Sequence, residues 1–151
     1  MMLAARLHSA KDIRIDTIKS PSSPAANEVL LQIDAVGICG SDLHTYADGY
    51  IGDTHYDRPT TLGHEFMGTV IAVGDDPFDG QFQKLTVGTR VAVDPACPCY
   101  HCEMCEKGHP NLCPNHTFYG LYPAEGALQE QMIVKARNCF PIPDSISDGA
   151  G

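Results

Sequence analysis

Residues 28–38 read EVLLQIDAVGI, and this stretch sets the fold class. Val29, Leu31, Ile33 and Ala35 alternate with Leu30, Gln32 and Asp34, the period of two expected of a half-buried β-strand. Further along, MGTVIAV at 67–73 and TRVAV at 89–93 are rich in β-branched residues and bounded by Gly68, Gly74 and Gly88, so both are predicted strands. Residues 2–7, 13–16 and 129–134 complete a set of short strands with few helices between them. The pattern predicts a mainly β fold, a partly open β-barrel or a sandwich. Fourteen glycines and eleven prolines suit such a turn-rich chain.

Three stretches break the strand pattern. GSDLHTYADG, after Cys39, predicts a short helix capped by Ser41 or Gly40, with Asp42 in its first turn and its end near Gly49. Residues 74–84 read as a surface turn. Residues 95–114, PACPCYHCEMCEKGHPNLCP, have no long apolar period, so something other than a hydrophobic core must organise them.

The 151 residues are 43% hydrophobic and 19% charged, which fits one domain over residues 1–151. A chain of this length buries about 70% of its unfolded surface. Nineteen acidic against ten basic side chains give a net charge of -9. That balance argues against nucleic acid and against an anionic membrane as partners, since both call for a basic surface. A small molecule or another protein is the expected partner. The opening MMLAARLHSAKDIRIDT is interrupted by Arg6 and His8 and lacks a signal-peptide core, and no run approaches the ~18 apolar residues of a membrane helix. The expected compartment is a reducing cytoplasm, where clustered cysteines usually bind metal. Seven cysteines cannot all pair with one another.

Cys99, Cys102, Cys105 and Cys113 have the spacing C-x2-C-x2-C-x7-C, with Pro98, Gly108 and Pro110 bending the chain between them. Thiolates two residues apart reach one ion across a tight turn, and four complete the tetrahedral shell of structural zinc. An iron–sulfur cluster is the rival, because Pro114 follows Cys113 as in ferredoxin runs. The x7 gap and the lack of a second cysteine run count against it. Cys97 is one thiol too many for the shell, and Cys139 reads as a small strand hydrophobe.

A second constellation joins Cys39 of GICGSDLH to His64 of LGHEFMG, with Glu65 as a further oxygen donor or a support for the histidine. Gly37, Gly40, Gly63 and Gly68 are expected to let the backbone close around these side chains. Spacing alone leaves open a buried cysteine and an ordinary hydrogen-bonded histidine.

The ordered set GICGSDLH, LGHEFMGTVIAVG, VGTRVAV, PCYHCEMCEKGHPNLC, EGALQEQMIV and PIPDSIS resembles the catalytic domain of zinc-dependent medium-chain alcohol and polyol dehydrogenases over nearly the whole chain. The resemblance implies a GroES-like, partly open β-barrel with short helices and a zinc-binding cysteine lobe at 95–114. It implies that Cys39 and His64 are ligands of a catalytic zinc, with Glu65 an alternative or supporting ligand. Cys99, Cys102, Cys105 and Cys113 match the structural zinc. Ser41 and His44 match the hydroxyl and imidazole of a proton relay, and Asp42 matches the carboxylate that steadies the histidine ligand. Ser41 and His44 lie three residues apart on one side of the predicted helix, so a proton could pass between them. The implied reaction is oxidation of an alcohol or polyol by hydride transfer to NAD or NADP. Tyr46, Tyr50 and Tyr56 are candidates for the substrate pocket or for ordinary surface positions. A full-length form is open to homo-oligomerisation.

The sequence also departs from that family's pattern. Thr89 stands where relatives commonly have Asp, which leaves the bonding around Arg90 open, and Gly40 fits the polyol and threonine dehydrogenase branch. No G-x-G-x-x-G occurs in the 151 residues, so the Rossmann cofactor domain is absent from them. The sequence stops at Gly151, before the region where relatives supply a third catalytic ligand. The expectation is therefore a fragment or isolated domain, inactive alone and holding its second zinc weakly. The alternative is a stand-alone GroES-like zinc module with a binding or assembly role.

Overall fold

The computed structural model describes residues 1–151. Along the chain run β1 (Met2–Ser9), β2 (Asp12–Ile18), β3 (Glu28–Gly37), α1 (Gly40–Asp48), β4 (Tyr50–Ile51), β5 (Thr54–His55), β6 (Thr60–Thr61), β7 (Glu65–Val73), β8 (Arg90–Val93), β9 (Ala96–Cys97), α2 (Glu103–Glu106), β10 (Thr117–Phe118), β11 (Gln131–Lys135) and β12 (Cys139–Pro141). The larger sheet has the order β11-β3-β7-β8-β12 and the smaller one β2-β1-β6, all antiparallel. β4-β5 and β9-β10 are separate ribbons. The two sheets are joined where the Ala5 N–H donates to Leu128 O at 2.8 Å and Ala4 bridges Gln129, without closing into a full barrel. The predicted strands fall on β1, β2, β3, β7, β8 and β11 with small shifts at their ends. The remaining strands are two or three residues long, too short to show a period in sequence.

Val29, Leu31, Val70, Val91, Met132 and Val134, all on the larger sheet, form the core. Full burial of each such side chain contributes about 1.5–3 kcal/mol. The simple alternation read in residues 28–38 does not run through. The β3–β7 register slips between Ile33 and Ala35, and beyond the slip Val36, not Ala35, packs with Ile33 against the core. A bulge adds one residue to one strand and so reverses which side chains face inward.

Helix α1 begins one or two residues earlier than a Gly40 or Ser41 cap predicts. Cys39 occupies the cap, and its N–H donates to the Asp42 carboxylate at 3.0 Å, so Ser41 lies inside the first turn. Gly49 ends the helix with φ 78°, a left-handed conformation that glycine adopts without strain, and its N–H donates to Thr45 O. Residues 74–84 are more than a surface turn. Pro77 is fully buried, and the Asp79 carboxylate, 5% exposed, accepts the N–H groups of Gln81 and Gln83, each at 2.8 Å. The loop is packed against the core because the next residue, Leu85, inserts into it.

For function, the decisive element is the β3–β7 ladder. It pairs Gly37, the last residue of β3, with Glu65, the first of β7. Cys39 lies just beyond one strand's end and His64 just before the other's beginning, so the pairing brings distant sequence positions to one place.

Candidate metal centres

The segment at 95–114 has almost no core of its own, and Cys113 is its one buried residue. What it has instead is a thiol cluster. The Sγ atoms of Cys102 and Cys105 are 3.5 Å apart, those of Cys99 and Cys113 3.5 Å, and those of Cys102 and Cys113 3.8 Å. All four lie within 4.8 Å of one another, and none is in a disulfide. A zinc ion about 2.3 Å from each of four thiolates holds the sulfurs about 3.8 Å apart, so the donor set fits. An iron–sulfur cluster distributes its four thiolates over two or more irons and so needs a wider spread of sulfurs. Cys97 stays outside, its Sγ near Pro95 O and the Asn138 amide, and burial pushes its thiol up. Cys139 is fully buried in the core, and desolvation pushes its thiol up to about 12.

Two of the four thiols stand apart in this arrangement. The His101 backbone N–H stabilises the Cys99 thiolate and brings that thiol down to about 6. Burial and the neighbouring sulfurs push Cys105 up to about 12.

The second cluster brings together the donors of Cys39, His64 and Glu65, within 4.8 Å of one another. The Glu65 carboxylate fits because Gly37 faces it: a Cβ there would sit 3.0 Å from Oε2. Gly63 and Gly68 also allow close approach, whereas Gly40 meets nothing within 4 Å and simply starts α1. The Asp42 carboxylate is 6% exposed and lies 3.6 Å from His64 Nδ1 while also accepting the Cys39 N–H. It therefore caps the helix start and lies on the Nδ1 side of the imidazole, away from Nε2. Ser41 Oγ is 3.4 Å from that Nε2. His44 is exposed on α1, with no hydrogen-bond partner in the structure. Three protein donors plus one open position is the composition of a catalytic zinc site, so the residues fit this ion too.

His64 forms a wall shared by two cavities. One, of about 600 Å³, is lined by Val36, His64, Glu65, Phe118 and Asp148, among others. The other, of about 190 Å³, is lined by Ser41, Thr45, Ile51, Tyr56, His64 and Phe118. Of the three candidate tyrosines only Tyr56 lines this pocket. Tyr46 and Tyr50 are exposed, and Tyr50 stacks on His55. Thr45 and Phe118 escape the sequence reading, since Phe118 arrives only through the return strand of the cysteine lobe and packs edge-on to His64 at 5.6 Å. Thr89 bonds to the Thr86 hydroxyl at 3.2 Å, and Arg90 turns to Ile146 O and Asp148 instead.

The profile of the alcohol dehydrogenase GroES-like domain matches residues 25–144. The chain belongs to this family. The chain is 41% identical over 146 residues to sorbitol dehydrogenase of Bacillus subtilis (strain 168), covering 97% of this chain and 40% of that protein. Its fold is similar to the crystal structure of 2R,3R-butanediol dehydrogenase from Bacillus subtilis, with a TM-score of 0.81 and 34% identity, covering 100% of this chain and 43% of that one. A putative zinc-binding dehydrogenase from Sinorhizobium meliloti 1021, bound to NADP, gives a TM-score of 0.81 at 31% identity, covering 98% and 40%. The GroES-like chain thus spans about 40% of the length of the curated relatives it matches. No helix in it is long and apolar enough to cross a membrane.

Proposed function

We propose that these residues form the zinc and substrate part of an NAD- or NADP-dependent alcohol or polyol dehydrogenase, working with a dinucleotide-binding domain outside the 151 residues. The observation that carries this reading is the Cys39, His64 and Glu65 donor set, whose His64 lines both cavities and whose Glu65 lines the larger, with the Ser41 hydroxyl beside His64. Zinc, when bound there, makes an alcohol hydroxyl more acidic, and the nicotinamide accepts the hydride that leaves its carbon. Cys39, His64 and Glu65 hold the ion. Asp42 keeps the His64 ring oriented through Nδ1. Ser41 accepts the hydroxyl proton at Oγ and passes it outward, with His44 at the solvent end. Ile51, Phe118 and Leu121 keep water from the reacting end of the smaller pocket. Free thiols throughout the chain suit a reducing cytoplasm.

The test joins metal analysis to turnover. The protein carrying its cofactor domain should contain two zinc ions per chain and reduce NAD or NADP with small alcohols or polyols. Glu65→Gln should lower zinc content at the second site while leaving the first filled. Two zinc ions with no oxidation of any alcohol or polyol would favour a zinc module without catalysis.

A further inference from the structure

Between Cys99 and Cys102 the chain turns at Tyr100 with φ 61°, a left-handed conformation unusual for a bulky side chain. Such a conformation persists where the surroundings enforce it. The enforcing contact comes from outside the lobe: the guanidinium carbon of Arg137 lies 3.3 Å from the centre of the Tyr100 ring. Arg137 sits in the short 3-10 turn Ala136–Asn138, between β11 and β12 of the larger sheet, and forms no ion pair. Its neighbours hold the lobe as well. Asn138, 3% exposed, donates through Nδ2 to Asp94 O at 2.8 Å and Ala96 O at 2.7 Å on the way in. The Lys135 N–H donates to the Tyr119 hydroxyl at 3.0 Å on the way out. One turn of the sheet thus grips the lobe's entry, its exit and the bend between two of its thiols.

We propose that Arg137 is a positioning residue for the cysteine lobe: stacked on Tyr100 in the folded, zinc-bound lobe, it fixes the left-handed bend and so keeps Cys99 and Cys102 on the ion. The proposal rests on reading the four cysteines as zinc ligands. A planar cation over an aromatic face supplies the attraction, and lysine cannot reproduce the stack. Because the contact lies outside the ligand shell, its loss changes how long zinc is held without changing which atoms hold it.

The experiment follows zinc release into a chromogenic chelator from zinc-loaded protein, in a Cys39→Ser background so that the lobe holds the tightly bound ion. Arg137→Met should release zinc about three-fold faster or more, and Arg137→Lys should fall between it and the parent. Tyr100→Phe keeps the ring face and should match the parent, whereas Tyr100→Leu should match Arg137→Met. The double variant Arg137→Met/Tyr100→Leu should be no faster than either single one, since both remove the same contact. Melting of the zinc-stripped protein should be the same with and without Arg137→Met. Parent-like release from Arg137→Met, additive effects in the double variant, or an equal loss of stability in stripped protein would each overturn the proposal. A parent protein without zinc in the lobe would overturn the zinc reading itself, and metal analysis separates that failure from the others.

Discussion

Replacing Cys102 by serine should empty the lobe of zinc and unfold residues 98–113 while the five-stranded sheet stays intact. The lobe buries only Cys113 and draws its organisation from four sulfurs within 4.8 Å of one another. Structural zinc contributes about 10 kcal/mol or more to folding in small zinc modules, far beyond what one short helix and a 3-10 turn supply. Serine offers an oxygen of the wrong softness and a shorter reach. Limited proteolysis should then cut within 98–113, and metal analysis should lose one zinc per chain. The sheet should survive, because its core is formed by Val29, Leu31, Val70, Val91 and Val134, none of which lies in the lobe. A Cys102→Ser protein with full zinc content and unchanged protease resistance would show that the thiols are not what holds this segment.

The second large effect concerns proton transfer. With the cofactor domain present, Ser41→Ala should lower alcohol turnover by about 10²-fold, the usual scale for cutting a general acid–base path. Ser41 Oγ is the hydroxyl nearest the His64 nitrogen, at 3.4 Å, and α1 holds it there. His44→Gln should do much less, since His44 is exposed and water can take a proton at that point. The pH dependence of turnover should change in Ser41→Ala. Identical pH profiles and rates in both variants would remove Ser41 and His44 from the mechanism.

Much of this architecture is legible in the residues. The cysteine quartet can be read from spacing because ligands two residues apart need only a local turn to meet. Cys39 and His64 are harder, because they meet only through the β3–β7 register, which no local pattern reveals. Glu65 appears in sequence as one option among several, and the register together with the side-chain-free Gly37 gives its carboxylate a place beside the other two donors. The phase reversal at Ile33 and Val36 escapes an alternation rule because a bulge leaves no mark on composition. Phe118 and Arg137 carry no signal at all. Each acts across the boundary between lobe and sheet, a boundary that exists only once the chain has folded.

The two ribbon strands at the base of the lobe bear on its history. β9 and β10 pair directly, with Cys97 opposite Thr117 and Ala96 opposite Phe118, so the chain leaves the domain and returns to it at neighbouring points. Partners in an antiparallel ladder lie only about 5 Å apart, a gap that a tight hairpin turn spans. Everything between them is, topologically, one oversized hairpin loop. A lineage could lengthen, shorten or discard that loop in a single insertion or deletion without rethreading any strand of the sheets. All four thiols of the quartet lie inside that loop, so the metal site and the loop would be gained or lost together.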